Sequence, residues 1–282
     1  MIGSDLWALL CGLGSAAAWG AGDFSGGLAS RRSDVYTVVA VAEAVGIIPL
    51  LMFALMWGGA LPPVTYILWA CLAGVVGVVG LLALYRALSV GHMGVVAPAT
   101  SVVAAVLPLL LGSFWDGLPT FLQMTGILVA LGAVWLLSRT EADQPFALSD
   151  LGLPILAGTA FGLYFVCIDL AIEETLLWPL VIARLAAVAV LLVYLAVGPR
   201  RPLPSRNMLP LLVMSGLCDV AGNGFFALAT QIGRLDIAAV LASFYPGMTA
   251  FLAWIVLKER LNRTQWMGVS AALAALILIA LP

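Results

Sequence analysis

Six ionisable side chains stand inside apolar runs of this sequence: Asp23, Glu43, Arg86, Asp169, Arg184 and Asp219. A charge in hydrocarbon costs at least ~2.5–3.5 kcal/mol on insertion scales, so each needs a partner or a task. Such groups can exchange a proton, grip a charged solute, or lock helices together as salt bridges. Asp219 lies near the middle of its run, with Asn223 one turn later on the same helix face and Gly222 and Gly224 beside them. No cation lies near it in the sequence. That pattern suits a carboxylate that trades a proton or pairs with a cationic amine; the plainer reading is an acid that only accepts hydrogen bonds from a neighbouring helix. Asp23, Glu43 and Arg86 fall near one end of their helices. Asp169 and Arg184, with Glu173 and Glu174, fall near the opposite end of theirs. The expectation is two clusters that gate a central cavity from opposite sides, with structural ion pairs as the alternative.

Other chemistry finds little footing. The one histidine, His92, sits in a loop, and no nucleophile–base arrangement or metal-ligand spacing occurs, so no catalytic residue, metal or cofactor is expected. Cys11, Cys71, Cys167 and Cys218 all lie in apolar runs and read as small buried hydrophobes. Gly20-Ala21-Gly22 has the look of a dinucleotide fingerprint, but no strand precedes it. With Ala16 and Gly26 it forms small-residue seams that let helices approach closely, as Gly74, Gly77 and Gly80 would further on.

The elements that carry these residues are membrane helices. The chain of 282 residues is 63% hydrophobic and 9% charged, with a mean hydropathy of +1.14, whereas soluble domains carry about 25% charged residues. Apolar runs of roughly the ~20 residues needed to cross a bilayer core are cut by turn chemistry at Arg31–Asp34, Gly58-Gly59, Pro62-Pro63, Gly198-Pro199, Gly233–Asp236 and Lys258–Arg260. They predict ten helices at 6–28, 35–57, 65–89, 94–115, 120–138, 150–172, 178–198, 207–232, 236–257 and 262–281. A net charge of −2 argues against a nucleic-acid partner. The first run lacks the flanks of a cleaved signal peptide and reads as a retained helix.

The ten helices are two copies of five. Gly91 matches Gly233, Ser101 matches Ser243, Gln123 matches Gln265 and Gly126 matches Gly268, all at the same separation of 142 positions; Trp19-Gly20 meets Phe161-Gly162 at that offset too. Because five is odd, the second copy enters the membrane inverted. The predicted units are 1–138, a linker over 139–149, and 150–282. Ten of the twelve basic residues fall at one face (Arg31, Arg32, Arg86, Arg139, Arg200, Arg201, Arg206, Lys258, Arg260, Arg263), with Arg234 at the other and Arg184 inside a helix. The positive-inside rule makes the first face cytoplasmic and places both termini and the opposite face outside. Pro98 and Pro108 in helix four and Pro246 in its mate, helix nine, predict interrupted helices at matching positions of two halves, a pointer to a transporter's binding site, or simple kinks.

The repeat, Trp19-Gly20, and Pro246 followed by Glu259-Arg260-Leu261 and then Gln265 and Gly268 resemble the EamA type of the drug/metabolite transporter superfamily. The first copy departs from that pattern, with Ala104 at the position of Pro246 and Asp116-Gly117 at that of Lys258-Glu259. The resemblance implies an all-α fold of two inverted five-helix repeats in a cell (inner) membrane. It also implies alternating-access transport, more often export, of a small metabolite, amino acid or drug-like solute, with protons as the candidate coupling ion. It favours cytoplasmic termini, against the count of basic residues, which is followed here. The helices that surround the cavity in that family carry Trp19, Tyr85, Phe161, Tyr164, Phe225, Phe226, Phe244 and Tyr245 here; Tyr85 and Tyr245 stand out because a buried hydroxyl must find a partner. The expected solute contacts are Trp19, Asp23, Tyr85, Ser101, Tyr164, Asp219, Asn223 and Tyr245, in a monomer or weak dimer surrounded by lipid. The alternative from another class is a receptor or scaffold that binds a ligand in a central pocket without moving it.

Overall fold

The computed structural model describes residues 2–116, 120–137, 151–172, 175–199, 201–232, 241–242, 244–259 and 262–280. The linker over 139–149, Glu173, Glu174, Arg200, Arg234, Arg260, Ser243 and the expected first turns of helix nine lie outside these residues. Among the described residues the structure is helical throughout: α1 (Ile2–Ser30), α2 (Val35–Trp57), α3 (Val64–Val90), α4 (Met93–Asp116), α5 (Phe121–Leu137), α6 (Gly152–Ala171), α7 (Leu177–Val197), α8 (Leu209–Ile232), α9 (Tyr245–Leu252, continuing as a π-helical turn through Ala253–Leu257) and α10 (Arg263–Ala280). Five segments are long and apolar enough to cross a membrane: α2, α3, α6, α7 and Arg206–Ala229. Met93–Ala104, Tyr245–Leu257 and Trp266–Ala275 are shorter apolar stretches. Large apolar side chains such as Leu55, Val64, Leu68, Val193 and Trp254 cover the outside, a surface suited to lipid rather than water.

Local sequence explains the turns. Asp34 caps α2, its carboxylate accepting from the backbone N–H groups of Tyr36 at 3.1 Å and Thr37 at 3.3 Å. The prolines behave differently from the expectation of paired interruptions. α4 runs on through Pro98 and Pro108, with Ser101 Oγ donating to the Pro98 carbonyl at 2.9 Å. Pro246 instead stands in the first turn of α9, where a missing N–H costs nothing. Lys258, with φ of 56°, ends the π-helical turn in the left-handed region.

Helix packing is nearly unchanged when the two halves are exchanged. Moving five elements along turns the α1–α8 contact into α6–α3, α2–α8 into α7–α3, and α1–α9 into α6–α4; α2–α7, α4–α9 and α5–α10 map onto themselves. Glycines 142 positions apart make the equivalent approaches. Gly74 of α3 lies on the Ala183 carbonyl of α7, as Gly216 of α8 lies on the Ala42 carbonyl of α2. Gly80 faces Phe161 as Gly222 faces Trp19. Buried hydroxyls add bonds to backbone: Ser15 donates to the Gly222 carbonyl at 2.9 Å and Thr249 to that of Gly20 at 3.1 Å.

The exchange is not complete: among the described residues α2–α3 and α4–α10 pack without a comparable α7–α8 or α5–α9 contact, and one further pair beside the interior differs. The backbones of α1 and α3 pack closely, while those of α6 and α8, their counterparts, stay apart.

Candidate functional site

α6 and α8 are among the helices that line a cavity of about 100 Å³. α1 contributes Trp19 and Asp23, α2 Glu43, α3 Gly74, Gly77, Val78 and Leu81, and α6 Phe161, Tyr164 and Phe165. Ala183, Arg184 and Ala187 come from α7, Asp219 and Asn223 from α8, and Tyr245 from the start of α9. Glycines at positions 74 and 77 keep the α3 wall thin, so α6 and α7 come close without filling the space.

Arg184 is the electrostatic centre. Its buried guanidinium pairs with Glu43 Oε2 at 3.2 Å and with Asp219 Oδ2. It therefore joins α2, α7 and α8. Asn223 Nδ2 donates to Asp219 Oδ2 at 3.1 Å and to the Asp219 carbonyl at 2.8 Å, and its Oδ1 accepts from the Tyr164 hydroxyl at 2.9 Å. The chain Glu43–Arg184–Asp219–Asn223–Tyr164 thus crosses the cavity wall and bridges the open α6–α8 gap by side chains alone. A buried guanidinium with two carboxylates is held because each charge has a partner; removing one would leave another exposed to low dielectric.

Two expectations are corrected here. Glu43 and Arg184, assigned to opposite gates, form one ion pair at the cavity, because α2 and α7 are symmetry mates that pack on each other. Asp219, read as having no cation nearby, is paired with Arg184. Arg86 and Asp169 are exposed and lie outside the cavity lining, so the two clusters do not form as drawn.

Of the remaining expected contacts, Trp19, Asp23, Tyr164, Asn223 and Tyr245 line the cavity. Tyr85 does not. It is buried between α1 and α8, its ring against Gly26 and its hydroxyl 2.8 Å from Ser215 Oγ. Ser101 is also buried and is bonded within its own helix. Trp19, Phe165 and Phe226 form an aromatic cluster with ring centroids 5.7–6.1 Å apart, of which Phe165 had no distinguishing signal except its place 142 positions after Asp23. The lining by Gly74, Gly77 and Leu81 was equally silent, although Gly77 and Leu81 are the repeat mates of Asp219 and Asn223.

Ion pairs also tie the face that carries the basic residues. Arg31, at the end of α1, bonds Glu259 at 2.9 Å, the Leu88 carbonyl at 3.3 Å and the Gly91 carbonyl at 3.1 Å, while Glu259 accepts from the Met93 N–H at 3.1 Å. Arg201 pairs with Asp34 at 2.6 Å and lies 4.0 Å over the Tyr36 ring. The Asp34 hydrogen bond pushes the pKa of the Arg201 guanidinium further up.

No curated protein matches this sequence. A solved structure described only as "Crystal structure of protein" superposes with a TM-score of 0.61 at 14% identity, covering 96% of this chain and 95% of that one; that likeness speaks for the fold alone. The sequence profile of the EamA-like transporter family matches twice, over residues 6–139 and 149–281. With both halves matched and their helix contacts exchanging as two copies should, this chain belongs to the EamA-like transporter family of membrane proteins.

Proposed function

We propose that this protein is a secondary transporter that moves a small solute across a cell membrane by alternating access, its two five-helix repeats inverted with respect to each other. The observation that carries this reading is the unequal pair of seams, α1–α3 and α6–α8, in a frame whose main helix contacts exchange between the halves. α1 and α3 are closed on each other and tied by Arg31 to Glu259, while α6 and α8 stand apart around a cavity. In an inverted repeat, equivalent seams face opposite sides of the membrane, so closing one and opening the other exchanges access. The small-residue contacts at Gly22, Gly74 and Gly216 give smooth surfaces for that rocking. Arg184, held from α2 and α8 at the crossing of the halves, serves as a fixed point, and Asp219 positions it rather than exchanging protons itself.

Both termini are proposed to face outside and the Arg139–Asp150 linker to face the cytoplasm. A cysteine placed at Ser4 should then react with an impermeant thiol reagent on intact cells and one at Asp143 should not; the opposite pattern reverses the orientation. Export, with protons entering in exchange, is the proposed direction. Transport itself is tested by counterflow. Proteoliposomes preloaded with an unlabelled solute from a metabolite panel should transiently accumulate the labelled form, whereas a receptor would bind stoichiometrically and show no overshoot.

A further inference from the structure

Three carboxylates line the cavity against one guanidinium, and the guanidinium is already shared by two of them. Asp23 is the third. It has no hydrogen-bond or ion-pair partner among the described residues. It lies one helical turn from Trp19, and both side chains line the cavity. The Tyr245 hydroxyl, from a residue 7% exposed on the same cavity, also lacks a partner. Phe165, the repeat mate of Asp23, lines the same cavity and clusters with Trp19. We propose that Asp23, with Trp19, Phe165 and Tyr245, is the subsite for the positive head of an organic ammonium ion, and that the transported solute is a small amine or quaternary ammonium without a carboxylate of its own.

A cation in this position neutralises the one cavity carboxylate that has no partner among the described residues. Aromatic faces attract such a cation through their negative quadrupoles, most strongly when water is excluded. The Tyr245 oxygen supplies a further acceptor for an N–H, or rests against a methyl group. A solute carboxylate has no counterpart here, because Arg184 is occupied by Glu43 and Asp219 and any added anion meets their charge. Zwitterionic amino acids and organic acids are thereby disfavoured, and space of about 100 Å³ favours a compact head group.

This inference rests on the transporter reading, and the test separates the two. The full-length protein in detergent is titrated with tetramethylammonium, n-butylammonium, n-butanol and butyrate, following tryptophan fluorescence and thermal stability. The two ammonium ions should bind saturably, and the alcohol and the acid should not. Asp23→Asn should weaken ammonium binding by at least ~10-fold, Asp23→Glu should recover part of it, and Trp19→Leu should weaken it ~3-fold or more. If Asp23→Asn fails to fold, Trp19→Leu and Phe165→Leu carry the same test. Ammonium binding equal to wild type in Asp23→Asn, or in both aromatic variants, overturns the proposal, including the case in which Asp23→Asn loses only proton-driven uptake. Preference for butyrate over n-butylammonium overturns it as well, yet leaves transport intact if another solute from the panel shows counterflow. Ammonium binding with no counterflow for any solute upholds the subsite and refutes the transporter.

Discussion

The seam between α1 and α3 and the seam between α6 and α8 are equivalent in the repeat and opposite in state. In the first, Gly26 admits the Tyr85 ring and Gly27 admits Leu88, so two helices meet at backbone distance. In the second, Ile168 stands where Gly26 does and Ala227 where Tyr85 does, so the ring-on-glycine contact of the first seam has no counterpart at these positions. Contact across the second seam is made by long side chains, Tyr164 to Asn223 and Phe165 to Phe226. A shared frame therefore holds unlike linings. Cavity residues Asp23, Glu43, Asn223 and Tyr245 have Phe165, Leu185, Leu81 and Val103 as their mates, whereas the glycine contacts and the aromatic pair Trp19 and Phe161 are kept in both copies. Symmetry builds the frame; asymmetry builds the cavity lining.

The largest effect that would sharpen this comparison comes from Arg184→Leu, which strands Glu43 and Asp219 without their cation. We expect a loss of about 3–5 kcal/mol in thermal or denaturant unfolding of the purified protein, largely restored when Glu43→Gln and Asp219→Asn are added. Stability near wild type in the single variant would remove Arg184 as the fixed point. Next comes Gly26→Ala, whose added carbon meets the buried and anchored Tyr85 ring. It should cost about 1–3 kcal/mol as overpacking and loosen the closed seam. Gly77→Ala meets Tyr164 at 3.1 Å beside the open seam, a contact that a shift of a few tenths of an ångström relieves, and should cost less than Gly26→Ala. Equal costs would mean that the two seams are equally tight. Tyr85→Phe, which gives up the bond to Ser215, should cost about 1 kcal/mol. Glu259→Gln should change stability by no more than about 1 kcal/mol, since its pair with Arg31 is partly exposed. Its effect should instead appear as increased thiol reactivity of cavity cysteines from the basic face.

Much of the frame was legible in the residues, because lipid leaves its mark in long apolar runs and a duplication leaves matching glycines. Helix ends followed turn chemistry at Asp34 and Gly58. α1 extends a turn further toward the N-terminus than the apolar run implied, since a helix can outlast the bilayer core. The site was only half legible. Asp23, Asp219, Asn223 and Tyr164 announced themselves as polar groups at membrane depth, but depth alone does not say which meets which. The Glu43–Arg184 pair could have been found: Arg184 is the mate of Ala42, the residue before Glu43, and mates on two self-paired helices meet near the axis that relates them. Tyr85 could not have been excluded from the cavity, because its placement depends on Gly26 giving it a pocket on another helix.

The central claim is that one cavity opens to alternate sides, and a single cysteine tests it most directly. In a variant free of Cys11, Cys71, Cys167 and Cys218, Leu81→Cys places a thiol in the cavity lining. Membrane-impermeant reagents are added from outside to intact cells and, separately, to inverted membrane vesicles. The account predicts modification from both sides, with Glu259→Gln raising the rate from the basic face and lowering it from the other. Modification from one side only, unchanged by Glu259→Gln, would contradict alternating access and leave a pocket that binds without moving its ligand.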